Sequence, residues 1–340
     1  GYFGDDVHPG DVFYHNDPAT GGSHLADMCA FKPIFVDGQL AFWGASKLHV
    51  VDAGGPVPSS YNIDATENYA EGLRIPRVRL VDKGVMRQDV LDLILANVRM
   101  NENQAGDLRA QLGAVGIAER RLTELCAKYG LEAIQGATEG LKDLADQQMR
   151  SVVRETPDGT ASVPVPIEDT GHGFGDLEIV AKVRTAGDEL EIALESPDQI
   201  PFYINSYEAN TVSGVFLGLL EWAQVPPPYN EGLYRCVTVD PGREGWLTNA
   251  KIPAPCGSST SCPAEPIADA VRKALLEIAT PRYAIAEWGR TFGVNIAGTD
   301  PRNGEYFVNY MLGSLIAGAG AVDGQMDGWH MIGPADALGA

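Results

Sequence analysis

Positive charge is scarce in this chain. Its 340 residues hold 25 Lys and Arg against 46 Asp and Glu, a formal net charge of −21. So anionic a surface repels phosphate backbones and anionic lipid, which argues against a nucleic-acid partner. Long apolar runs are missing as well. The most apolar stretches, residues 212–220 and 312–322, are interrupted by Gly or Ser. They fall short of the about 20 residues a helix needs to cross a bilayer, so no membrane partner is expected. Residues 1–10 are polar and carry two Asp, unlike a secretory signal. The chain lacks a starting Met and opens in a loop-like stretch, which predicts a piece of a longer protein. Cysteine is rare: Cys29, Cys126, Cys236, Cys256 and Cys262 are odd in number, scattered and without a CxxC pair. That usage suits free thiols in a reducing cytoplasm and argues against a zinc knuckle. The phosphate loop, the dinucleotide fingerprint and the G-x-S-x-G elbow are all absent, so this chain itself shows no ATP site.

What is present is ordinary globular material, 44% hydrophobic and 21% charged, long enough for about two domains. Residues 11–14, 30–36 and 40–45 read as strands, the last two joined by a hairpin turn at Asp37-Gly38. Apolar spacing of three and four predicts helices over 87–98, 108–129 and 131–153. Beyond residue 155 the pattern turns to strands at 160–164, 177–185 and 189–194, then helices at 212–223 and 266–279. From Gly289 the chain reads as strands and loops. The expectation is a mixed α/β (α+β), multi-domain fold. A strand-and-loop region and helices would occupy 1–153, and a second strand-rich α/β region 154–340.

Histidine marks the chemistry. Four of the six His lie in the first 49 residues. His24-Leu25-Ala26-Asp27 and His49-Val50-Val51-Asp52 are two H-x-x-D units near the ends of neighbouring strands. Imidazole and carboxylate suit Zn, Mn or Fe, and two His with one carboxylate leave coordination positions open. A metal there would polarise a carbonyl or acidify water. Asp52 could instead orient a ligand His. The spacing also fits structural, hydrogen-bonded His. His8 and His15 read as loop residues, His172 as a turn residue, and His330 lies in a Gly-rich tail with no obvious partner. Glu71 and Arg74, in Glu71-Gly72-Leu73-Arg74-Ile75-Pro76, fit a substrate wall and a surface ion pair equally well. Asp52, Glu71 and Arg74 are the candidate catalytic residues. Cys256 and Cys262 read as structural thiols, and Ser258-Ser259-Thr260-Ser261 as a flexible loop.

These residues carry a family resemblance. Gly10-Asp11-Val12-Phe13, Asn16-Asp17-Pro18, Gly21-Gly22-Ser23-His24-Leu25-Ala26-Asp27 and Leu48-His49-Val50-Val51-Asp52-Ala53-Gly54-Gly55 open an ordered series. Ala65-Thr66-Glu67, the segment 71–76, residues 89–99, Gly106-Asp107-Leu108-Arg109-Ala110-Gln111 and Glu119-Arg120-Arg121-Leu122 continue it. The series resembles the hydantoinase B/5-oxoprolinase family. It thins beyond residue 155, and residues 196–212 and 250–265 depart from the usual pattern. The resemblance implies a hetero-oligomeric machine. A hydantoinase A-type partner would use ATP and Mg to phosphorylate an amide or enolate oxygen. The B-type part would hold a divalent metal (Zn, Mn or Fe) and complete either hydrolysis of a cyclic amide (hydantoin, 5-oxoproline, lactam) or carboxylation of a ketone such as acetone or acetophenone. By position the implied metal ligands are His24, Asp27 and His49, with a further family Asp upstream of Gly1. The alternative is a non-catalytic structural subunit of such a complex.

Overall fold

The computed structural model describes residues 2–167, 170–279, 285–319 and 329–332. The fold is mixed α/β. Its first sheet has the order β3-β2-β1-β4-β5, built from β1 (Val12–His15), β2 (Asp27–Val36), β3 (Gln39–His49), β4 (Val78–Asp82) and β5 (Val85–Met86). The β2–β3 hairpin turns at Asp37 and Gly38, which take φ of 51° and 79°. Two positive φ values are what a tight Asp-Gly hairpin needs. One register shift follows: Ile34 faces Phe42 while Phe35 faces Leu40, leaving Ala41 unmatched as a β-bulge. From there the pairing runs unbroken to Asp27 opposite His49. Both strands therefore extend further than apolar composition predicts, because their polar ends pair as well.

Three helices follow: α1 (Gln88–Ala96), α2 (Asn101–Tyr129) and α3 (Leu131–Arg154). The helix expected from residue 108 begins at Asn101. Its buried face there is polar: Gln104, Leu108, Gln111 and Val115 recur at helical spacing and are all buried. Gln111 donates to the Met28 carbonyl at 2.8 Å and the Ser46 carbonyl at 3.1 Å, and accepts from the Tyr14 hydroxyl at 3.0 Å. An apolar stripe that includes glutamines is invisible to hydrophobic periodicity.

The second sheet runs β6-β7-β8-β9: β6 (Gly159–Ile167), β7 (Leu177–Ala186), β8 (Glu189–Glu195) and β9 (Val237–Asp240). β9 was not evident from the sequence; it is only four residues long and lies parallel to β8. α4 (Glu208–Ala223) and α5 (Ala264–Ile278) complete this half. Among the described residues two large apolar cores result, with a small third cluster around Tyr207 and Cys256. Val12, Tyr14, Met28, Leu80, Ile94 and Leu108 belong to one. Met149 and Val153 of α3, Ile179, Ile192, Leu219 and Val271 belong to the other. A third sheet, β10 (Ile285–Thr299), β11 (Tyr306–Ala319) and β12 (Trp329–Ile332), accounts for the strands expected after Gly289. The apolar stretch 312–322 runs along β11 and then leaves the described residues. His330 lies on the β12 backbone. Among the described residues no helix is long and apolar enough to cross a membrane.

Candidate metal centre

Asp27 and His49 are directly opposed at the open end of the β2–β3 hairpin. Opposed residues put their side chains on the same face, roughly 5 Å apart at Cβ. His24 reaches the same point by a turn: the Asp27 amide donates to the His24 carbonyl at 3.0 Å, folding the i and i+3 side chains together. Leu25 and Ala26, at the apex of that turn, sink into the core. Asn16 fixes it from below. Its side-chain amide donates to the Leu25 carbonyl at 2.7 Å and the Leu73 carbonyl at 2.9 Å, and its oxygen accepts from the Ile75 amide at 2.7 Å. Gly22 must be glycine, since a Cβ there would lie 2.6 Å from the Asn16 carbonyl oxygen.

The outcome is one nitrogen or oxygen from each of His24, Asp27 and His49 within 4.8 Å of one another. Asp27 Oδ2 lies 3.1 Å from His24 Nδ1, and Asp27 Oδ1 lies 3.1 Å from His49 Nδ1. The two imidazole centroids are 5.0 Å apart. His24 Nδ1 is buried and not aligned for a hydrogen bond, although the carboxylate is close. Such an atom fits a metal ligand better than a satisfied structural His. Burial pushes the His24 pKa down, with Asp27 opposing. Burial disfavours charge on Asp27, but the two imidazoles and a nearby ammonium outweigh it and hold the carboxyl far below the usual range. A neutral imidazole beside an ionised carboxylate is the protonation state that metal binding requires.

Three neighbours complete the surroundings, of which Lys47 and Tyr61 lie outside the sequence motifs. Lys47, two residues before His49 and so on the same strand face, places Nζ 2.9 Å from Asp27 Oδ2 and 2.8 Å from Ser23 Oγ. Ser23 donates to Asp27. The period-two rule could have found Lys47. Tyr61 arrives from a loop whose Ser59 and Ser60 both adopt left-handed φ, and its hydroxyl lies 3.4 Å from His24 Nε2. Nothing in the local sequence signals that placement.

A family model described as Hydantoinase B/oxoprolinase matches residues 1–336. The chain belongs to the hydantoinase B/oxoprolinase family. It is 52% identical over 341 residues to the caprolactamase subunit beta of Pseudomonas jessenii, covering 100% of this chain and 58% of that one. The crystal structure of the ATP-dependent caprolactamase from Pseudomonas jessenii superposes with a TM-score of 0.90 at 50% identity, over 98% of this chain and 58% of the other. The nucleotide-free acetone carboxylase structure superposes with a TM-score of 0.79 at 19% identity, over 98% of this chain and 46% of the other, a likeness of fold alone. The chain therefore spans about half the length of these relatives.

In this hydantoinase B/oxoprolinase chain the three other candidates lie elsewhere. Asp52 is buried and engaged by Arg99 and the loop: Oδ1 accepts from Arg99 NH1 at 2.9 Å and the Ser59 amide at 3.1 Å, and Oδ2 accepts from the Arg99 amide at 2.9 Å. Among the described residues Glu71 and Arg74 form no ion pair with each other. Glu71 is buried, accepting from the Cys256 amide at 2.8 Å, the Gly257 amide and the Asn68 side chain at 2.9 Å. Burial pushes its pKa up to about 7 against these donors. Arg74 lies 5.5 Å from the Tyr69 ring centroid. His15, expected on a loop, is the last residue of β1 and stacks on Phe31, because it pairs with Cys29 of β2; His172 lies against Phe202, and His8 is 3.0 Å from Asp6. All five cysteines are free thiols, and Cys256 is fully buried.

Proposed function

We propose that this chain is the metal-dependent part of an ATP-dependent complex that opens cyclic amides, with lactams as the substrate class. The observation that carries the reading is the convergence of His24, Asp27 and His49; the 52% identity to a caprolactamase subunit supports the choice of lactam. Two nitrogens and one carboxylate oxygen suit Zn, Mn or Fe. Such an ion, when bound, would supply a Lewis acid for a carbonyl or phosphoryl oxygen and acidify water.

The chain's own residues prepare that centre. His24 is neutral by burial and shares Nε2 with Tyr61, which turns Nδ1 inward. Asp27 stays ionised, steadied by Lys47 and Ser23. Asp52 ties the Tyr61 loop to the start of α2 through Ser59 and Arg99. Glu71 holds the 256–257 backbone, and Ser259 of that loop donates to the Ser23 carbonyl at 3.1 Å. Asp52 and Glu71 thus act as positioning residues. An amide resists hydrolysis through resonance, so activation of its oxygen falls to a hydantoinase A-type partner that binds ATP and Mg.

The test uses the complex with that partner, given ATP and, in turn, caprolactam, hydantoin, 5-oxoproline, acetone and acetophenone, each with and without bicarbonate. Lactam consumption with a ring-opened amino acid, independent of bicarbonate, is expected; a bicarbonate-dependent carboxylated ketone overturns the lactam reading. His24→Ala and His49→Ala should lose stoichiometric metal and at least about 100-fold in turnover. Full turnover without metal would leave the chain a structural subunit.

A further inference from the structure

A cavity of about 290 Å3 opens beside the trio on its Lys47 side, walled by Gly22, Ser23, Lys47, Ser213 and Thr260 among others. Lys47 is the one ionised side chain among its lining residues. In a chain of net charge −21, this wall carries an ammonium and no carboxylate, and the one carboxylate paired with that ammonium, Asp27, is buried behind it. A larger cavity of about 870 Å3, near Tyr207, mixes Arg77 and Lys251 with Glu208 and Glu244 and has no such preference. Lys47 gives hydrogen bonds to Asp27 and Ser23, yet its side chain is half exposed. An ammonium has three N–H donors, so one remains. Thr260 is exposed, and its hydroxyl makes no hydrogen bond among the described residues.

We propose that Lys47 and Thr260 form a subsite for a small oxyanion next to the metal trio. At roughly 30 Å3 per water the cavity holds about ten waters. That admits a phosphate, phosphoryl or carboxylate group. The subsite stands on the cavity and its charge; only the origin of the anion rests on the function proposed above. An activated substrate would bring a phosphoryl oxygen, and a ring-opened product would bring a carboxylate. In either case the ammonium would hold the anionic end of the molecule while its reacting carbon faces the trio.

The test is calorimetric titration of inorganic phosphate, and separately of acetate, into the assembled complex. In Lys47→Met one phosphate site should weaken at least tenfold, and in Thr260→Val about threefold. Lys47→Arg, which keeps the charge, and His24→Ala, which removes a trio ligand, should retain it. Preference for phosphate over acetate assigns the subsite to the phosphoryl group; the reverse assigns it to the product carboxylate. Unchanged phosphate binding in both Lys47→Met and Thr260→Val overturns the proposal. So does loss in His24→Ala with retention in Lys47→Met, which gives the anion to the metal. A complex inert towards lactams that still binds phosphate through Lys47 sinks the proposed function and leaves the subsite standing.

Discussion

The two cores of this molecule are held by different means. In the second, β7 alternates plainly: Leu177, Ile179, Ala181 and Val183 face inward while Glu178, Lys182 and Arg184 face solvent. Burial of this kind is non-directional, and it tolerates substitutions that conserve volume. The first core is threaded with buried polar groups, among them Asn16, Asp27, Asp52, Glu71 and Gln111. Each depends on particular partners at particular angles, and removing one strands the others. The second half also buries polar groups, among them Asn205, Thr248 and the Asp269–Arg272 pair, so the contrast holds between the β7 face and the surroundings of the candidate centre.

Three substitutions sharpen or break that contrast. The largest effect belongs to Asp52→Ala, which strips Arg99 and the Ser59 amide of a shared buried acceptor. Leaving the Ser59 and Arg99 amides without their buried acceptor, and the partly buried guanidinium without its carboxylate, costs roughly 3–5 kcal/mol, read by urea denaturation. A midpoint equal to wild type would mean that the first core is no more directional than the second.

Glu71→Gln comes next, and its effect depends on pH. Burial raises the Glu71 pKa from 4.5 to about 7, so the folded state keeps a proton that the unfolded chain has released. The stability this gives is fully present below about pH 4.5 and fades as pH rises through 7. The stability of Glu71→Gln relative to wild type should therefore climb between pH 5 and 8, by up to about 3 kcal/mol. A flat difference across that range would show that the carboxyl ionises normally. The smallest effect belongs to the second core. Ile179→Val removes one buried methylene and costs about 0.5–1.5 kcal/mol. A larger loss there would erase the contrast from the other side.

The same contrast explains what the sequence discloses. Helices with apolar stripes are legible: periodicity predicts 131–153, and α3 spans Leu131–Arg154. The Asp37-Gly38 turn is legible because its chemistry demands positive φ. His24, Asp27 and His49 stand out because imidazoles are few and regularly spaced from carboxylates. What escapes is whatever depends on partners distant in the chain. The first turns of α2 hide behind Gln104 and Gln111. Glu71 reads equally well as part of a substrate wall or of a surface pair with Arg74, yet beside Asn68 its partners lie about 185 positions away, at Cys256 and Gly257. β4 and β9 are short segments that become strands by pairing with β1 and β8.

Ala41, the unmatched residue of the β2–β3 hairpin, has a consequence well beyond its own strand. Were Ala41 paired instead of bulged, pairing counted from the Asp37-Gly38 turn would set Asp27 against Leu48 and throw His49 to the far side of the sheet. A residue with no chemistry of its own, some eight positions from the nearest imidazole, decides whether the two strands can grip anything between them. An insertion or deletion in this hairpin should be judged by its parity as much as by its size.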